Sequence, residues 1–350
     1  MTQILVTGGS GFIGQHLVAA LLAQGRRVRI LDLRPPSWAA TEGAQILKGS
    51  VLDAKVVREA LNDVGEVYHL AALSGMWMPC KEDFHAVNCR GTEIMLVAAR
   101  ERGVSRFLHC STESILFGRS PPGSFTIEEG CNSPDQMPGT YTRSKLLAEQ
   151  KASQAAATGF PVVIASPTMP IGPHFGNLTP PTLMLQYFLN RRVQLYFDFV
   201  MNLVDVRDVA AGLVLAMKHG QSGHRYILGG EAISLSNVLT RLRAISGRKA
   251  IPVRIPAMIA QVTALAMEFV ADRLTHRPPG ATVEGVRVAM RSKSLSSEKS
   301  WRELGYTPHP IERALREVVA SVVSKSSVGA ERRAVLAQCN AQRDENSCRP

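Results

Sequence analysis

Thr7-Gly8-Gly9-Ser10-Gly11-Phe12-Ile13-Gly14 stands between a short apolar run, Ile4-Leu5-Val6, and a helix-period run through Leu17, Ala20, Leu21 and Leu22. The pattern predicts a strand, a glycine turn and a helix. Gly8, Gly11 and Gly14, at three-residue spacing, let the backbone turn tightly, approach a pyrophosphate and pack the helix on a sheet. The N–H groups that open the helix then face the phosphates. Such spacing also occurs in ordinary flexible turns. The strand before it, the helix after it and an acid, Asp32, closing the next strand favour a dinucleotide cradle.

Outward from this stretch, strands are expected over 27–31, 45–48, 66–70 and 106–110, with helices over 53–62 and 83–102 between them. A helix over 141–158 and a strand over 161–165 complete the series. This alternation predicts an α/β fold, a Rossmann doubly wound parallel sheet with a smaller C-terminal substrate lobe. From Pro167 onward, Pro170, Pro173, Pro180 and Pro181 interrupt the pattern. The expected division is a dinucleotide-binding domain over 1–166 with a returning segment 202–228, a lobe built from 167–201 and 229–323, and a disordered tail over 324–350. The Pro-, Gly- and Ser-rich loop 120–139 is a candidate flap.

With 350 residues, 45% of them apolar, the chain can bury one large core and a subordinate one. Its first residues lack a basic n-region and a cleavage site, so no secretory signal and a cytoplasmic location are expected. The six cysteines show no metal-site spacing, and no metal is expected. Of the net charge of +11, most lies in residues 241–350, where 19 Lys/Arg face 10 Asp/Glu. No basic run with interleaved aromatics accompanies it, so a solvated basic face is expected and no nucleic acid partner. The strongly apolar run 256–274 holds Gln261, Glu268 and Asp272 on one helical face. It reads as an amphipathic helix packed on the lobe and as no membrane span, with an apolar lid or a peripheral membrane contact as the alternative.

Tyr141-Thr142-Arg143-Ser144-Lys145 opens a helix, and the spacing of four puts Tyr141 and Lys145 on one face. A phenol with a pKa of ~10 is a poor base at neutral pH, but a nearby ammonium favours its ionised form. Tyr141 then exchanges a proton with a substrate oxygen, while Lys145 lowers its pKa. On a surface helix the same pair would be a solvated lysine and an exposed aromatic. Downstream of a dinucleotide cradle it reads as catalytic.

Thr7–Gly14, Asp32, Gly49–Asp53, His69-Leu70-Ala71-Ala72, Asn88–Thr92, Ser111-Thr112, Tyr141–Lys145, Pro167 and Val204–Ala210 together resemble the extended short-chain dehydrogenase/reductase family. That family holds nucleotide-sugar epimerases and dehydratases, 3β-hydroxysteroid dehydrogenases and dihydroflavonol reductases. The resemblance covers about residues 1 to 320. It implies that Gly8, Gly11 and Gly14 hold the pyrophosphate, with Phe12 and Ile13 donating N–H groups. It further implies Asp32 on the adenosine ribose, Leu52 and Asp53 at the adenine, Leu70, Ala71 and Ala72 along the cofactor, Lys145 on the nicotinamide ribose and Pro167 at the nicotinamide. Asp53 also reads as a helix cap.

The family's third catalytic residue is a hydroxyl after the fifth strand. Counting from Phe107 gives Thr112; counting back from Gly118 gives Glu113, which cannot donate to a carbonyl while ionised. Thr112 is assigned, with Ser111 as second choice and Glu113 as a bystander or a separate acid/base group. Asp32 favours NAD over NADP, although Arg34, Arg26 or Arg27 could meet a 2′-phosphate.

Many sugar-nucleotide relatives place an arginine before the Val-x-Asp-Val segment, where this chain has the apolar run Tyr196–Leu203. Met76-Trp77-Met78, Met184, Tyr187 and Phe188 could line an apolar pocket in the same sense, or pack in the core. The expected activity is therefore interconversion of a secondary alcohol and a ketone on a largely apolar small molecule. The alternative is an NAD-dependent nucleotide-sugar epimerase or dehydratase, and residues 167–173 and 226–231 are indeed similar to the hopanoid-associated sugar epimerase branch. A non-enzymatic redox sensor would usually have lost Tyr141 or Lys145. The family also implies a homodimer.

Overall fold

β1 (Gln3–Thr7) is buried along its whole length and alternates between two cores. Ile4 and Val6 join one apolar cluster with Leu17 and Leu21, whereas Leu5 joins another with Leu31, Val67 and Phe107. A strand covered on both faces reads as a continuous apolar run, which is why Ile4-Leu5-Val6 shows no polar alternation. The computed structural model describes residues 2–35, 43–117, 133–173 and 178–322.

β1 is followed by α1 (Phe12–Ala23), β2 (Val28–Asp32), β3 (Gln45–Lys48), α2 (Ala54–Ala60) and β4 (Val64–His69). Next come α3 (Glu82–Phe84), a π-helical segment His85–Arg90, α4 (Gly91–Glu101), β5 (Arg106–Cys110), α5 (Thr140–Ala157) and β6 (Val162–Pro167). The chain continues through β7 (Met169–Ile171), α6 (Pro180–Leu189), β8 (Val193–Tyr196), β9 (Val200–Asp205), α7 (Val206–His219) and β10 (Arg225–Leu228). β11 (Glu231–Ser234), α8 (Leu235–Ser246), β12 (Ile251–Arg254), α9 (Ala257–Val270), α10 (Val283–Arg291) and α11 (Glu298–Leu304) follow. A further helix covers 312–322.

Seven strands form one sheet in the order β10-β6-β5-β4-β1-β2-β3, and every pairing in it is parallel. Because the order reverses at β1, the C-terminal ends of β1 and β4 flank the crevice where a ligand can enter, with the glycine turn on its floor. The fold is thus the expected Rossmann α/β sheet. A second sheet, β11-β9-β7, and a third core around Leu185, Leu203, Leu239 and Leu315 lie beyond it.

Several expectations are corrected here. The prolines after Pro167 do not stop strand formation: Pro167 ends β6, and Pro170 sits in β7, opposite Val204. β7 is an edge strand, where a missing N–H is tolerated. α7 starts at Val206, where Asp205 caps it by accepting the Arg207 N–H. The expected helix 83–102 contains a π-helical stretch. α10 and α11 were not anticipated, although Thr282 caps α10 by accepting the Gly285 N–H. Most of the loop 120–139, the tail 324–350 and Gly118 lie outside the described residues.

α9 also reverses its expected orientation. Its acid Glu268, and Asp272 in the π-helical turn Ala271–Thr275 that continues it, face the protein: both accept from Lys81, at 3.3 and 3.2 Å, and Asp272 accepts from the Trp77 indole at 2.7 Å. Of its own residues only Ala264 is buried.

Candidate active site

At the end of β1 the chain turns at Gly8, whose φ of +71° belongs to the left-handed region. A Cβ there would lie 2.7 Å from the Ala71 nitrogen, and one on Gly14 would collide with the Gly8 carbonyl oxygen. Gly11 caps α1 with no side chain over the helix mouth. Helix geometry leaves the opening N–H groups, those of Phe12, Ile13 and Gly14, without intrahelical acceptors, and the helix dipole adds positive potential there. Asp32, at the tip of β2, accepts the Ser10 N–H at 3.0 Å and the Arg34 N–H at 3.2 Å. Lone pairs remain on both oxygens for hydroxyl donors. Arg26 is engaged by Glu66 at 3.0 Å, so it is held away from this carboxylate; the Arg34 side chain is exposed.

The next strand end, Leu70 to Ala72, is fixed by a chain of hydrogen bonds. The Thr92 hydroxyl donates to the Asn88 carbonyl at 2.6 Å, so it accepts from His69 Nε2 at 3.0 Å. His69 Nδ1 therefore accepts from the Thr7 hydroxyl at 2.8 Å, whose oxygen receives the Ala71 N–H at 3.2 Å. Burial lowers the His69 pKa to about 3, which keeps the ring neutral and in this single tautomer. Asn88 accepts the Leu73 N–H at 2.7 Å and donates to Ser144 at 2.9 Å, tying the same loop to α5.

Tyr141 and Lys145 project from the first turns of α5 and are both buried. The Lys145 ammonium donates to the Cys110 carbonyl at 2.7 Å, anchoring α5 to the end of β5. Thr112, in extended conformation, opens a short 3-10 turn, and its hydroxyl lies 3.1 Å from that of Ser114. The Tyr141 phenol meets both of these hydroxyls. Of the three candidates after β5, Thr112 is thus the one brought against Tyr141. Ser114 is a neighbour the sequence reading missed; its position two residues past Thr112 on a 3-10 turn was the available signal.

The charge state differs from expectation. Burial pushes the Tyr141 phenol up to about 12, against the opposing hydrogen bond from Thr112. Burial also lowers Lys145 below its ordinary value. Lys145 is turned to the Cys110 carbonyl, and desolvation of the phenol dominates. Glu113 is buried with its pKa raised to about 8 by desolvation, and one of its oxygens has no partner among the described residues. The Ser111, Ser166 and Thr168 hydroxyls are also buried without partners among the described residues, at the ends of β5 and β6 around Pro167.

Glu284, from α10, is the second residue the sequence did not reveal. Its carboxylate accepts the Thr142 N–H at 2.7 Å, the Thr142 hydroxyl at 2.8 Å and the Tyr141 N–H at 3.1 Å. A residue 142 positions away thereby caps the helix that carries Tyr141 and Lys145. Gly139 leaves it room, since a Cβ at that position would collide with the Glu284 carboxyl group.

Asp53 and the apolar candidates take the structural roles that the sequence also allowed. Asp53 caps α2 through one oxygen, accepting from Lys55 at 2.9 Å and Val56 at 3.3 Å, and Leu52 beside it is exposed. Phe188, Met184, Tyr196 and Phe199 pack on the lobe's apolar core, and Tyr187 is half exposed with Arg191 over its ring. Trp77 is buried beneath α9. Among the described residues there is no cluster of three His, Cys, Asp or Glu side chains able to hold a metal ion.

Strict glycines, an uncovered helix N-terminus, an acid at the tip of β2 and hydroxyls unpartnered among the described residues at the ends of β5 and β6 fit an extended dinucleotide. Residues 4–229 match the model of the NAD dependent epimerase/dehydratase family, and the chain belongs to that family. It is 33% identical over 321 residues to a Synechocystis sp. protein provisionally named dihydroflavonol 4-reductase, covering 90% of this chain and 92% of the relative. It is 31% identical over 320 residues to sterol demethylase protein B of Methylococcus capsulatus, covering 90% and 97%. The fold matches that of Thermus thermophilus UDP-glucose 4-epimerase, solved with NAD, with a TM-score of 0.72 and 22% identity, covering 91% of this chain and 98% of that chain.

Proposed function

We propose that the protein is an NAD(H)-dependent oxidoreductase that interconverts a secondary alcohol and a ketone on a largely apolar small molecule. The observation that carries this reading is the buried cluster of Tyr141, Thr112 and Ser114 hydroxyls beside Lys145, on the same strand edge as the glycine cradle. Gly8, Gly11 and Gly14 with the Phe12 and Ile13 N–H groups hold the diphosphate, and Asp32 accepts from the adenosine ribose. Leu70, Ala71, Ala72 and Pro167 line the path to the nicotinamide. The bound dinucleotide supplies or accepts the hydride. Asp32 favours NAD, since a carboxylate accepts from a free 2′-hydroxyl and repels a phosphate.

Thr112 donates to the substrate oxygen and orients it. Tyr141 gives that oxygen a proton as it gains charge, or removes one in the reverse direction. At a resting pKa of about 12 the phenol is a proton donor across the neutral range, which suits ketone reduction. Lys145, on the same face of α5 as Tyr141, would hold the nicotinamide ribose through its Nζ donors. Two relatives whose names refer to a dihydroflavonol and a sterol support an apolar substrate, as does the Tyr196–Leu203 run. Burying apolar area stabilises such a substrate by about 25 cal/mol per Å², whereas the phosphates of a sugar nucleotide would lose water on entering an apolar pocket. NADH absorbance followed across cyclic, steroid and aryl ketones and across UDP- and dTDP-sugars tests the proposal. Oxidation of NADH by the ketones supports it; epimerised sugar nucleotide with NADH unchanged overturns it.

A further inference from the structure

We propose that α9 is a docking surface for an anionic phospholipid bilayer, lying in the plane of its headgroups. The helix is amphipathic in the inverse sense: its acid Glu268 faces the protein and its apolar side chains face outward. Met258, Val262, Leu265 and Phe269, spaced at four, three and four along one face, are 74%, 66%, 62% and 62% exposed. Isolated exposed leucines are ordinary on protein surfaces, but a whole helix face of this kind is not.

The apolar surface extends beyond the helix. β12, which leads into α9 through Pro256, pairs with β8 so that Ile251 lies beside Val193 and Val253 beside Leu195, and all four are exposed. No helix among the described residues is long and apolar enough to cross a membrane, so the mode available to α9 is to lie on one.

Charge selects the partner. Glu268 and Asp272 are held inward by Lys81, Trp77 and the Val283 N–H. The exposed charges of the ribbon and of the chain on either side of the helix are cationic, Arg192 and Lys249 beside the two-stranded ribbon, Arg254 before the helix, and Arg273 and Arg277 after it, while the exposed Glu82 lines the cleft with Trp77, Lys81 and Asp272. None of these five makes a salt bridge among the described residues. Across a two-fold axis, a second copy would oppose this rim with another cationic rim. Residues 323–350 are a poor cover, since their only large aliphatic side chains are Val323, Val328, Val335 and Leu336 and they include no aromatic. A bilayer satisfies both requirements at once, with acyl chains for the helix face and lipid phosphates for the arginines.

Co-sedimentation of the full chain with vesicles of phosphatidylcholine containing about one-third phosphatidylglycerol tests this. Binding is expected that weakens with added salt and is several-fold lower on phosphatidylcholine alone. Val262→Asp with Leu265→Asp should lower the partition coefficient about tenfold or more, and Arg254→Gln with Arg273→Gln roughly fivefold for each cation removed. The thermal midpoint and NADH affinity measured alongside should stay at the wild-type values, since these side chains are exposed. Absence of vesicle binding, or equal binding by the variants, overturns the proposal. So does a wild-type dimer in sedimentation velocity that Val262→Asp with Leu265→Asp dissociates while vesicles bind neither form.

Discussion

The start of α5 and the outer face of α9 invert the usual partition of side chains in opposite ways. At α5 a phenol, an ammonium and the Glu284 carboxyl group are taken out of water, and hydrogen bonds to neighbouring groups hold each in place. At α9 a row of aliphatic and aromatic side chains is left in water while Glu268 of the helix and Asp272 just after it point inward. Desolvating polar groups has a cost that is recovered where their protonation or geometry is used, and exposing apolar ones has a cost that a partner can remove. The two regions are also linked physically. Glu268 of α9 accepts the Val283 N–H at the start of α10, and Glu284, the next residue, caps α5.

The sharpest way to break this comparison is at the buried end. Tyr141→Phe removes the proton donor and keeps the ring, so turnover should fall roughly 10²–10⁴-fold while NADH titration shows affinity unchanged. Thr112→Val should cost more turnover than Ser111→Ala, because Thr112 is the residue that meets the phenol; the reverse order in kcat would reassign the hydroxyl.

Glu284→Ala probes the link between the two regions. Two backbone N–H groups and the Thr142 hydroxyl lose their acceptor, which should lower stability by about 2–3 kcal/mol in denaturant melts. Glu284→Gln, which keeps an acceptor oxygen, should lose less.

A smaller effect concerns Glu113. Its folded-state pKa of about 8 lies above the ordinary 4.5, so the folded chain holds a proton through that window that the unfolded chain releases. Stability from this group is present below pH 4.5 and declines as pH rises toward 8. His69 acts in the opposite sense: its pKa of about 3 lies below 6.5, so its contribution is present above 6.5 and is lost on acidification toward 3. Glu113→Gln should therefore shrink the fall in melting temperature between pH 5 and pH 8.5. Smaller still, Asp32→Ala should weaken NADH by about tenfold and raise relative affinity for NADPH, read by fluorescence titration.

The sheet was legible because its determinants are local. Apolar runs such as Ile4-Leu5-Val6, the three glycines and Asp32 specify strand, turn and strand end within a few residues, and the spacing of Tyr141 and Lys145 fixes their shared face. What escaped depends on contacts distant in sequence. Glu284 caps α5 across 142 positions, and nothing near Val283 marks it as a helix cap for another element. The orientation of α9 escaped for the same reason. Periodicity shows that Gln261, Glu268 and Asp272 share a face, but contacts with Lys81, Trp77 and the Val283 N–H turn the acids of this face inward. The phenol's raised pKa likewise follows from burial, which the spacing of Tyr141 and Lys145 does not encode.

The central claim is net hydride transfer to a ketone with Tyr141 as the proton donor, and isotope transfer tests it most directly. Wild-type protein is given NADH deuterated at the transferable C4 position together with a ketone it reduces, and the product is examined by mass spectrometry and NMR. One deuterium on the new carbinol carbon for each NADH consumed, with the rate collapsing in Tyr141→Phe, is expected. Product lacking the label, or turnover that leaves NADH unconsumed and survives Tyr141→Phe, would contradict it.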